Sequence, residues 1–163
     1  MARIDLKKAL NAIGKHRILV ALFGLLSLAV LCFIYSQSLL SGEESGGLSA
    51  KVMAFIRPIL DPYGAVPEEL FHHLLRKAAH FTEFMTLGIC ICGATVNYGV
   101  IKSRRFVALP MLLTLGAAVS DEFLQYFTGR GSMVTDVVID YSGALFGIGL
   151  TALIAWLIGR RKQ

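Results

Sequence analysis

The chain has 163 residues, of which 55% are hydrophobic and 17% charged, whereas a soluble domain is typically about 45–50% apolar and about 25% charged. That balance, with a mean hydropathy of +0.65, excludes a disordered chain, a disulfide-stapled mini-domain and a collagen-like repeat, and argues against a soluble enzyme. The length allows one domain over residues 1–163, and its apolar residues are gathered into long blocks, as a membrane-spanning chain requires.

The first block covers about residues 18–35 (ILVALFGLLSLAVLCFIY) and follows a basic stretch containing Arg3, Lys7, Lys8, Lys15 and Arg17. It is longer than the apolar core of a secretory signal peptide and runs into the polar YSQSLLSGEES, which predicts an uncleaved first span. Residues from Ser36-Gln37-Ser38 through Ser41 to Gly47 predict a flexible polar turn region. From Leu48 to Arg57, before Pro58, the recurrence of Val52, Phe55, Ile56 and then Ile59 predicts a short amphipathic helix on the outer membrane surface. Asp61-Pro62-Tyr63-Gly64 predicts a turn, and Pro67-Glu68-Glu69 a helix start with acids in its first turn. That helix is expected to continue through His72, His73, Arg76 and Lys77, unbroken, into a second span.

The remaining blocks cover about residues 80–101, 106–127 and 135–158, with Lys102-Ser103-Arg104-Arg105 between the second and third and Arg160-Arg161-Lys162 after the fourth. Blocks of roughly 18–24 residues suffice to cross a hydrocarbon core of about 30 Å as helices. None alternates apolar and polar residues as a barrel strand does. The expected fold class is therefore all-α, a polytopic membrane protein with four transmembrane helices. The three cysteines, Cys32, Cys90 and Cys92, fall inside apolar blocks and read as small buried hydrophobes rather than disulfide partners or metal ligands.

Four crossings sort the charges. One side receives eleven Lys/Arg and a single acid, Asp5; the other receives Lys51, Arg57, Arg76, Lys77 and Arg130 with ten acids. The positive-inside bias predicts that both termini are cytoplasmic. The net charge of +5 thus expresses membrane orientation, and no nucleic-acid partner is expected.

Charged residues near the centre of a span cost about 2.5–3.5 kcal/mol on insertion scales, so they need partners, water or a protonated state. The second span opens with Arg76, His80 and Glu83 on one helical face. The third ends with Asp121, Glu122 and Gln125, the fourth opens with Asp136 and Asp140, and Arg130 lies in the tight connection between them. All these positions are predicted to share one layer near the outer face. Taken singly they have plainer readings: Asp136 as an acid at a helix N-terminus, Asp121 as an interfacial residue, Arg130 as the partner of an outer acid, His72 and His73 as interfacial. Their convergence is the stronger signal. Gly143 and Gly147, four apart, are the small residues that let a neighbouring helix approach closely.

At these residues the sequence resembles the VanZ-like family of small bacterial membrane proteins. The resemblance runs over about residues 33–150. It rests on Ser36-Gln37, Glu44-Ser45, the run from Arg76 to Phe84, the run from Ser120 to Gln125, Phe127, Gly129-Arg130, the run from Asp136 to Asp140, and Gly143. It implies a bacterial cytoplasmic-membrane protein; the family's namesake is associated with resistance to teicoplanin-type glycopeptides, which act on cell-wall precursors outside the membrane.

Three functions fit the residues. In the first, the protein binds or modifies an envelope lipid or lipid-linked cell-wall intermediate. Arg76, Lys77 and Arg130 contact its phosphate, Asp121, Gln125 and Asp136 are further substrate-binding residues, and His80, Glu83, Glu122 and Asp140 serve as catalytic groups. In the second, a divalent metal completes an oxygen-rich site of His80, Glu83, Glu122, Asp136 and Asp140 and activates a water for hydrolysis or transfer. In the third, the polar layer is a structural network and the protein an envelope scaffold. The sequence sets no oligomeric state.

Overall fold

In a computed structural model the described residues of the chain form five α-helices. The structure describes residues 2–102, 108–129 and 133–160, and no strand occurs among them. The helices are α1 (Ala2–Ser38), α2 (Gly42–Leu60), α3 (Glu68–Lys102), α4 (Ala108–Phe127) and α5 (Val134–Arg160).

α3 is the central element, packed most extensively against α5 and then α1, while α4 leans on α5 and α3. The α3–α5 contact is close because glycines on each helix meet the backbone of the other. A Cβ at Gly143 would lie 3.0 Å from the carbonyl carbon of Phe81, and one at Gly147 would lie 3.0 Å from that of Met85 and 3.1 Å from the Ile89 nitrogen. Gly88 on α3 meets the Ala144 backbone in the same way. The small-residue stripe expected from the sequence therefore has α3 as its neighbour. Around this seam Ile34, Phe84, Leu87, Ala117, Ala118 and Ala144 form the core, drawing on all four long helices.

Among the described residues three helices are long and apolar enough to cross a membrane: Ile13–Ser38 of α1, Glu68–Val100 of α3 and α5. Their outward faces carry large exposed apolar side chains, among them Leu25, Phe146 and Trp156. A water-soluble monomer rarely leaves so much apolar surface uncovered. The unbroken helix from Glu68 into the second block is present as expected. So is the turn after Asp61, where the Gly64 amide donates to the Asp61 carbonyl at 3.1 Å and Gly64 takes a φ of 63°.

Three expectations need correction. The segment expected to be a flexible turn region is mostly helical, because α1 continues to Ser38 and α2 begins at Gly42. The reason is a capping box. The Glu44 amide donates to Ser41 Oγ at 3.3 Å, and the Ser41 amide donates to the Glu44 carboxylate at 3.0 Å; this hydrogen bonding holds the Glu44 carboxyl below its usual range. Nor does α2 stop before Pro58. The proline sits in the last turn, where its missing N–H costs one helical hydrogen bond, and the Asp61 amide still closes the turn on the Arg57 carbonyl at 2.8 Å. Finally, Cys32 is exposed on the apolar flank of α1, whereas Cys90 and Cys92 are buried as expected.

Candidate functional site

At one end of the bundle α1, α3, α4 and α5 each place a polar side chain in a buried cluster. Asp121 of α4 and Asp140 of α5 are 0% exposed. Asp121 is held by two donors: the Ser38 hydroxyl at the end of α1, in a short hydrogen bond to Oδ1, and Gln125 Nε2, one helical turn on, to Oδ2 at 2.7 Å. Thr128 Oγ1 donates to the Ser38 carbonyl at 3.1 Å and ties the ends of α1 and α4 together. From α3, His80 faces both acids, its Nδ1 lying 3.4 Å from Asp140 Oδ1 and 4.0 Å from Asp121 Oδ2.

Neither approach is aligned as a hydrogen bond. Among the described residues, His80 Nδ1 and both carboxylate oxygens of Asp140 have no hydrogen-bond partner. One ligand-capable atom from each of His80, Asp121 and Asp140 lies within 4.8 Å of the other two.

Beside this cluster a cavity of about 500 Å³ opens between α1, α2 and α3. Arg76, His80 and Glu83, the face expected on the second span, line it together with Gln37, Ser38, Ser45 and Ser49. Phe33, Leu48, Val52, Ile56 and Leu75 form its apolar wall. His80 and Ser38 belong to both the cavity wall and the buried cluster, so the two are contiguous.

The expected polar layer is therefore only partly one site. His80, Asp121, Gln125 and Asp140 come together; Arg76 and Glu83 join them through the cavity. Lys77 and Asp136 pair with each other across α3 and α5. Glu122 accepts the Met133 amide at 3.1 Å, at the entrance to α5. None of these three lines the cavity. The physical reason is the i, i+1 adjacency of Arg76 with Lys77 and of Asp121 with Glu122, which turns neighbours on a helix to different faces. Arg130 lies outside the described residues. Ser38 was missed: its signal was a polar triplet ending the first span, at the depth expected for the layer.

Long apolar helices enclosing a buried charged cluster define a helical membrane protein. A family model described as VanZ/LLP1 matches residues 21–155, and the chain belongs to that VanZ-like family. No curated protein and no solved structure matches the chain.

Proposed function

We propose that the protein binds the phosphate-bearing headgroup of an envelope lipid or lipid-linked cell-wall intermediate in the cavity between α1, α2 and α3. The observation that carries this reading is Arg76. Its neighbour Lys77 is neutralised by Asp136, whereas among the described residues Arg76 has no ion-pair partner and stands on the cavity wall. A guanidinium suits bidentate phosphate binding, and the apolar residues opposite suit an acyl or prenyl chain.

The same reading places the cavity on the outer side of a bacterial cytoplasmic membrane. α4 serves as the fourth span: its 20 residues cover about 30 Å as a helix, and the groups that lower its hydropathy, Asp121, Glu122 and Gln125, are all buried. Four crossings with the charge distribution above put both termini in the cytoplasm. α2, which has no buried residue and exposes Phe55 and Ile59, then lies along the outer surface as a rim of the cavity.

The test is equilibrium binding of a polyprenyl phosphate to the full chain in phosphatidylcholine nanodiscs. A charge-assisted hydrogen bond contributes about 1.5–3 kcal/mol, so Arg76→Gln is expected to weaken binding roughly 10- to 150-fold. Equal affinity for the corresponding polyprenyl alcohol, or an unchanged affinity in Arg76→Gln, would contradict the reading.

A further inference from the structure

We infer that His80, Asp121 and Asp140 form a binding site for a single divalent transition metal ion of the Zn²⁺ or Mn²⁺ class. Asp140 is 0% exposed, and both its oxygens lack a hydrogen-bond partner among the described residues. A buried carboxylate left in that condition costs several kcal/mol unless a positive charge compensates it.

The spacing of the groups supports an ion between them. His80 Nδ1 is 3.4 Å from Asp140 Oδ1 and 4.0 Å from Asp121 Oδ2, longer than the 2.7–3.2 Å of ordinary N–H···O hydrogen bonds. Ligand atoms about 2.1 Å from a common ion lie roughly 3.0–4.2 Å from one another, depending on the coordination angle. Both separations fall in that range.

The surroundings of Asp121 fit as well. Ser38 and Gln125 donate to its two oxygens and so fix the carboxylate, as hydrogen-bonded neighbours of metal-ligating carboxylates do. One imidazole and two carboxylates are a mixed nitrogen and oxygen set, suited to Zn²⁺ or Mn²⁺ rather than to ions that favour thiolates. Three protein ligands leave a position for water or a ligand oxygen. Arg76 takes no part in this set, so metal binding can be tested apart from lipid binding although His80 also lines the cavity.

The full chain, freed of any affinity tag and stripped with chelator in phosphatidylcholine nanodiscs, is titrated with Mn²⁺ while free Mn²⁺ is followed by electron paramagnetic resonance. One Mn²⁺ per chain, displaced by Zn²⁺, is expected. Asp140→Asn and Asp121→Asn, both isosteric, should each weaken binding at least tenfold; His72→Ala with His73→Ala, and Arg76→Gln, should leave it unchanged. Loss of lipid binding with retained Mn²⁺ in Arg76→Gln would separate the two sites. The assignment fails if the wild-type chain binds neither ion, which would leave the cluster as an imidazolium between two carboxylates. It fails equally if both asparagine variants bind as the wild type does, or if removing His72 and His73 abolishes binding.

Discussion

Replacing Gly143 or Gly147 by leucine is expected to destabilise the bundle strongly. At both positions the obstructing atoms belong to the α3 backbone, so no rotamer change can make room, and α5 must move away from α3 along its length. Overpacking in a core costs about 1–3 kcal/mol where side chains can adjust; here the cost is expected at the top of that range or above it. A loss of about 3 kcal/mol lowers a melting temperature by roughly 6–12 °C for a chain of this size. The measurement is the melting temperature and monodispersity of the detergent-solubilised protein. Gly149→Leu is the control, because nothing lies within 4 Å of a Cβ there, and it should melt like the wild type. If Gly143→Leu and Gly147→Leu matched that control, the α3–α5 seam described above would be wrong.

The second large effect is expected at Asp121. Alanine there removes the acceptor of the Ser38 hydroxyl and the Gln125 amide and the carboxylate facing His80. Buried hydrogen bonds to a charged group contribute about 1.5–3 kcal/mol each, and the groups left without a partner add their desolvation. A destabilisation of about 3 kcal/mol follows, comparable to the glycine variants but different in kind. Ser38→Ala, which removes one donor and leaves the carboxylate and its Gln125 hydrogen bond in place, should cost less, about 1.5–2 kcal/mol. If Asp121→Ala melted no lower than Ser38→Ala, the carboxylate would not be the centre of the cluster.

Much of this arrangement was legible in the chain because apolar blocks and helical spacing are local properties. The run from Glu68 to Lys102 read as one helix since no proline or glycine pair interrupts it. Asp121 and Gln125, four residues apart, were expected near one another at the end of the third block, although only the fold shows the hydrogen bond between them. Gly143 and Gly147 announced a close helix contact, although only the fold shows that Phe81, Met85 and Ile89 lie opposite.

What escaped the sequence reading has equally specific causes. The capping box of Ser41 and Glu44 was present in the sequence, but the serines and glycines around it drew attention to flexibility instead. Ser38 looked like part of a polar turn region; its partner Asp121 is 83 positions away, and no local pattern connects them. The separation of Lys77 from Arg76 turns on the reach of Asp136 from α5. That contact sorts one cation into a structural pair and leaves the other on the cavity wall.

Everything proposed about an envelope ligand depends on the cavity facing away from the cytoplasm. The direct measurement is cysteine labelling in intact cells, with Cys32, Cys90 and Cys92 replaced by alanine and single cysteines introduced at Ser45, on the cavity wall, and at Arg160, at the end of α5. A membrane-impermeant maleimide is expected to label Ser45→Cys in intact cells and Arg160→Cys only after permeabilisation. The reverse pattern would place the cavity in the cytoplasm and contradict the account.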